Sequence, residues 1–220
     1  MAKGRLWAAL GGLALAWWYL SAHPPKATAA APGRPLVVLD PGHGGPDPGA
    51  VGVTGLLEKE VNLEIAQSAA RTLMGRGVGV AMTRTQDSAV RPGPYLVVQD
   101  LRERAFLARR VGATILVSIH SNAEPTGTVA GPIVYYRADS PSSQQLAWAL
   151  TGPLASTVGI YHPPRPAHHL VLMEARVPAV TVEVGFLTQR HDLARLTSSA
   201  WRQRLGTAVA QGILAYLGRR

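Results

Sequence analysis

Three short apolar runs, each rich in β-branched residues and each ending in a group that can bind metal or move a proton, constrain this chain most. Leu36-Val-Val-Leu39 leads into Asp40-Pro-Gly-His-Gly-Gly45, Thr114-Ile-Leu-Val-Ser-Ile119 delivers His120, and Ala179-Val-Thr-Val182 delivers Glu183. Runs this short do not make free-standing helices and read as buried strands. Pro41, Gly42, Gly44 and Gly45 break regular structure, so His43 sits on a tight loop past the carboxyl end of a strand. Open α/β sheets place their ligands at that end. One loop histidine is ordinarily a solvated side chain. Three strand-end groups gathered at one edge point to an active site.

The stretches between these runs have helical periodicity. The pattern predicts helices over Glu58–Gly75, Asp100–Gly112, Ser142–Gly159 and Ser198–Leu217, with further strands at Val78–Arg84, Gly131–Tyr136 and Leu170–Met173. Strands alternating with helices imply a single α/β domain whose largely parallel, mixed sheet is covered by helices on both faces.

Residues 1–22 read as a signal peptide or signal anchor: Lys3 and Arg5 precede an uncharged run from Leu6 to Leu20. That run is short of the ~20 residues of a spanning helix, yet Trp17, Trp18 and Tyr19 resemble an interfacial aromatic belt. A membrane tether through residues 6–20 is therefore a rival to a cleaved signal, and either predicts an exported domain. Residues 23–33 form a Pro/Ala-rich linker, and the catalytic domain spans 34–220.

The net charge is +9, with Lys3, Arg5 and Lys26 in the tail. The basic excess suits an anionic polymer, but no basic run is interleaved with aromatics, so nucleic acid is not an expected partner. With no cysteine, disulfides and thiolate sites are excluded. Any metal must be held by His, Asp and Glu, which suits an open His₂–carboxylate zinc site. The carboxylates in reach are Glu58, Glu60, Glu64, Glu183, Asp40 and Asp47. Glu58 opens the helix after the His43 loop and can point back to that edge, whereas Glu60 lies about 200° further round. Spacing favours Glu58 without excluding the others, since acidic residues at a helix start also suit its dipole.

Taken in order, His43-Gly-Gly with Asp47-Pro-Gly-Ala50, Glu58-Lys-Glu-Val-Asn-Leu63, Thr83-Arg84 with Asp87, Ser118-Ile-His-Ser-Asn122 and Glu183-Val-Gly-Phe186 resemble the zinc-dependent N-acetylmuramoyl-L-alanine amidases of the amidase_3 type. The resemblance covers about Leu36 to Leu217. It implies Zn²⁺ held by His43, Glu58 and His120, Glu183 as catalytic acid/base and peptidoglycan as substrate; separately, a monomer is expected. The alternative, a non-catalytic peptidoglycan-binding or activator protein on this fold, would have lost one of those four groups. Arg109 and Gln189 depart from the asparagines usual in relatives, and Pro92-Gly-Pro94 makes the stretch after Asp87 loop-rich. No inserted segment is long enough to plug the site. His162, His168 and His169 read as a solvated Pro-rich loop, His191 as surface, Arg84 as a structural partner of Asp87, and Trp148 and Trp201 as core or half-buried packing.

Overall fold

The computed structural model describes residues 34–218, so the expected targeting segment and linker lie outside the described residues. Short apolar runs alternating with amphipathic stretches fold, in order, as β1 (Leu36–Pro41), α1 (Glu58–Met74), β2 (Gly79–Met82), α2 (Val97–Arg110), β3 (Ile115–Asn122), β4 (Ile133–Tyr136), α3 (Pro141–Val158), β5 (Arg165–Pro166), α4 (Leu170–Glu174), β6 (Ala179–Phe186), α5 (Arg190–Thr197) and α6 (Ser199–Leu217). The strands form one sheet in the order β2-β1-β3-β6-β4-β5. β1, β2, β3 and β6 run parallel, while β4 is antiparallel to β6. This is the largely parallel mixed α/β sheet expected from the alternation.

The two-residue period of a strand divides the side chains between two unequal layers. On one face Val37, Leu39, Ile115, Val117, Ile119, Val180 and Val182 pack against α1, α3 and α6 without interruption. Each fully buried Val, Leu or Ile contributes about 1.5–3 kcal/mol over exposure, so this layer holds the domain together. Helix α6 lies close on its neighbours: a Cβ at Gly206 would come within 2.5 Å of Ser68 Cβ, and one at Gly212 within 2.6 Å of Leu150 Cα.

The other face is apolar only at the start of the strands. There Val38, Leu116 and Ala179 meet Ala105 and Ala108 of α2 and Val171 and Leu172 of α4. Two residues further along come Asp40, Ser118 and Thr181, and the register next pairs His120 with Glu183. The same column of side chains thus turns from apolar to polar toward the carboxyl end of the strands. That polar end carries the candidate site.

Three expectations need correction. Leu170–Met173 is helical, because Val171 and Leu172 are adjacent and both buried against α2, which a strand would not allow. The neighbouring edge place in the sheet goes to Arg165–Pro166 instead. Trp148 is exposed rather than packed, whereas Trp201 is half-buried between the guanidinium groups of Arg195 and Arg204. Arg84 does not bond Asp87: it donates to the carbonyls of Pro41, Gly42, Lys59 and Gln86, and Asp87 pairs with Lys59 at 2.7 Å.

Candidate active site

The loop after β1 brings His43 back over the sheet edge in a left-handed conformation (φ 61°), which a non-glycine residue adopts only when its surroundings impose it. Two arginines impose it here. Arg104 of α2 donates to the carbonyls of Pro41 and His43 and to the Asp40 carboxylate, while Arg84 grips the carbonyls of Pro41 and Gly42. Asp40 also accepts from Thr83 and Ser118. Burial pushes the Asp40 carboxyl up, but Arg104 and the two hydroxyls outweigh it and hold it below the carboxylate range. Asp40 is therefore committed to the clamp and is not free to ligate.

Glu58, the first residue of α1, is 4% exposed and points into the same edge. Its Oε1 lies 3.2 Å from His43 Nε2 and 3.0 Å from His120 Nδ1. It also accepts from the Asn62 side chain and the Ser121 N–H, while Oε2 accepts from the Ala50 N–H. Glu60 is exposed and Glu64 pairs with Arg202, so the helix period separates the three glutamates as anticipated.

One nitrogen from each of His43 and His120 and one oxygen from Glu58 all lie within 4.8 Å of one another. The rings of the two histidines meet edge to face at 4.9 Å. Asp47 accepts from His43 Nδ1 at 2.8 Å, which leaves the Nε2 lone pair for the side facing Glu58. Asp47 is in turn fixed by the Gly49 N–H and the Tyr95 hydroxyl, the latter delivered by the Pro92–Pro94 loop. Glycines make the room: a Cβ at Gly42 would fall 2.2 Å from the His120 ring, and one at Gly49 2.6 Å from Glu58 Oε2. Burial pushes both imidazoles down, but Glu58 outweighs it and draws protons onto them, holding His43 above its ordinary value and His120 at about 9. The same contacts overcome the burial of Glu58 and hold its carboxyl far below the usual range.

Glu183 pairs with His120 across β3 and β6 and is 7% exposed. Its Oε2 has no hydrogen-bond partner among the described residues. Burial, opposed by His120, pushes its carboxyl up to about 7. A buried carboxyl that titrates near neutrality, beside two imidazoles and a second carboxylate, can take up and release a proton.

Residues 37–215 match the sequence profile of the N-acetylmuramoyl-L-alanine amidases of the Amidase_3 type. The chain belongs to the N-acetylmuramoyl-L-alanine amidase family. It is 31% identical over 183 residues to N-acetylmuramoyl-L-alanine amidase LytC of Bacillus subtilis, spanning 82% of this chain but 35% of that protein. It is also 31% identical to the germination-specific N-acetylmuramoyl-L-alanine amidase of the same organism, over 82% of this chain and 79% of that one. Among solved structures, N-acetylmuramoyl-L-alanine amidase AmiC2 of Nostoc punctiforme superposes with a TM-score of 0.76 at 37% identity, covering 86% of this chain and all of that one.

Within this amidase-family domain neither departure bonds a residue of the His43–Glu58–His120 cluster. Arg109 stacks on Phe106 near the far end of α2, and Gln189 caps α5 by accepting from the Asp192 N–H. The Pro-rich loop is not simply solvated: His162 Nε2 lies 2.8 Å from the Ala130 carbonyl oxygen and His169 Nδ1 3.0 Å from Thr181 Oγ1. His191 is exposed, as expected. The Arg104 and Arg84 clamps escape sequence reading, although an arginine on the inner face of a helix otherwise lined by Leu101, Ala105 and Ala108 hints at a buried partner.

Proposed function

We propose that this chain is a zinc-dependent amidase that hydrolyses the bond between N-acetylmuramic acid and the L-alanine of peptidoglycan stem peptides. The observation that carries the reading is the buried Glu183 carboxyl, unpartnered at Oε2, beside the His43–Glu58–His120 cluster. Two imidazoles and a carboxylate are the donor set of a catalytic zinc site with a position left open, so these residues fit the ion. Zinc held by them would supply Lewis acidity toward water and a carbonyl oxygen.

The chain's own groups do the rest. Asp47 orients His43, and Asn62 with the Ser121 and Ala50 amides fixes the Glu58 carboxylate. Glu183 accepts a proton from the water that attacks the lactyl carbonyl carbon. It returns that proton to the nitrogen of L-alanine as the C–N bond breaks, because an unprotonated amine anion cannot leave. The presence of all four groups favours an enzyme over a non-catalytic wall-binding protein.

One relative, LytH of Staphylococcus aureus, is named a probable cell wall amidase, which supports action outside the cytoplasm. In this reading residues 1–22 are the export signal or anchor, 23–33 the linker and 34–220 the catalytic domain, acting without an added activator. Among the described residues no helix is long and apolar enough to cross a membrane, so a tether would rest on residues 6–20. The test is Glu183→Gln on purified wall material. The variant keeps one zinc per chain and releases almost no new N-terminal L-alanine amines; normal turnover would overturn the assignment.

A further inference from the structure

The polar column extends back from Glu183 along its own strand. Thr181 is two residues before Glu183 and so shares its face of β6, and it pairs with Tyr135 of β4 as Glu183 pairs with Ile133. His169, immediately before α4, closes this corner. Its Nδ1 lies 3.0 Å from Thr181 Oγ1, and its ring sits 5.3 Å from that of Tyr135, tilted by 55°. Both rings are half-buried. Neither His169 Nε2 nor the Tyr135 hydroxyl has a hydrogen-bond partner among the described residues, and the proposed hydrolysis uses neither.

His169 and Tyr135 are themselves uncharged, with Arg165 of β5 the cation paired with Tyr135 in the sheet. Burial, reinforced by the charge of His120, holds the His169 imidazole below its ordinary value. Burial and then Glu183 hold the Tyr135 phenol up. At neutral pH the pair therefore offers a neutral imidazole nitrogen and a neutral hydroxyl side by side. Such groups match the N–H and C=O of an amide.

We propose that His169 and Tyr135 form an amide-recognition subsite, in which His169 Nε2 and the Tyr135 hydroxyl hydrogen-bond a secondary amide next to the scissile bond. The assignment rests on the amidase reading. A substrate of that class carries such amides on both sides, the sugar N-acetyl group and the peptide links of the stem. Thr181 holds the imidazole by Nδ1, so Nε2 is the nitrogen that faces the substrate.

The experiment compares His169→Ala, His169→Gln and His169→Asn for kcat, KM and zinc content on three muropeptides. These are an intact N-acetylmuramoyl stem, its N-deacetylated counterpart, and N-acetylmuramoyl-L-alanine with no further stem. His169→Ala raises KM for the intact stem about five- to tenfold, the worth of one hydrogen bond, with kcat and zinc content unchanged. Gln, whose terminal amide reaches as far as Nε2, restores most of the loss. Asn, which reaches only as far as Nδ1 and keeps the Thr181 bond, does not. If the penalty disappears on the N-deacetylated substrate, the sugar amide is the partner; if it disappears on the truncated one, the stem is. An unchanged KM in His169→Ala, rescue by Asn rather than Gln, or a penalty retained in full on both altered substrates overturns the subsite and leaves the amidase reading standing. A wild-type chain that cleaves none of the three overturns both.

Discussion

Zinc uptake by this chain should compete with protons, and the size of the competition can be worked from the cluster. Without metal, Glu58 draws a proton onto His120 and holds its pKa at about 9, and it raises His43 as well. The Glu58 carboxyl is already ionised and has no proton to give up. Ligation needs both imidazoles neutral. At pH 7, two units below the His120 value, displacing that proton alone weakens zinc binding about 100-fold relative to its high-pH limit, or about 2.7 kcal/mol. His43 adds to the slope as the pH falls further. The apparent affinity should rise at least tenfold from pH 7 to pH 8 and flatten above about pH 9. Competition against a chromophoric chelator from pH 6 to 9.5 reads the slope directly. Calorimetry in two buffers of different ionisation enthalpy counts the protons released, expected to be at least one at pH 7. Affinity that is flat between pH 6 and 8, with no proton release, would refute the picture of an imidazole pair protonated by its own carboxylate.

The same electrostatics makes Glu183 a stability cost. Its folded pKa of about 7 lies above the ordinary 4.5, so stability falls as the pH climbs through that window and the buried carboxyl ionises. Metal-free Glu183→Gln should therefore be up to about 3 kcal/mol more stable than wild type in urea at pH 8, with no such gain at pH 4; equal stability at pH 8 would contradict the buried-carboxyl account. Arg104→Met should destabilise the fold by about 3–5 kcal/mol, because Asp40 and Asp100 lose their buried counter-charge. A loss below about 1 kcal/mol would mean that the clamp under the His43 loop is not held by this arginine.

Most of the architecture can be read from the chain because parallel strands share an edge. Three apolar runs ending in His43, His120 and Glu183 have nowhere else to put those groups once the runs pair side by side. The helix period and the direction from which α1 leaves the loop favour Glu58 over Glu60 and Glu64 at that edge but do not exclude them; the fold places Glu58 beside the two histidines and turns Glu64 to Arg202. The short run Leu170–Met173 was ambiguous for a physical reason: four apolar residues fit either period, and only the burial of two adjacent side chains against α2 selects the helix. The short α5, with only Leu193 and Leu196 as buried apolar contacts, offers too little pattern to be found from sequence.

By itself, then, the sequence determined the alternation of elements, the edge at which the chemistry collects, and the residue types that meet there. Those are local properties: periodicity, glycine placement, and the direction in which a strand ends. Tertiary structure alone decided what each polar group is for. Asp40 and Asp47 are seven residues apart and chemically identical, yet one is locked in an arginine clamp and the other orients His43. His168 and His169 are neighbours in the chain, yet only His169 has a hydrogen bond to Thr181. Roles of this kind depend on partners 43 to 78 residues away in sequence for Asp40 and 12 away for His169, and a partner's distance in space is not written in either residue.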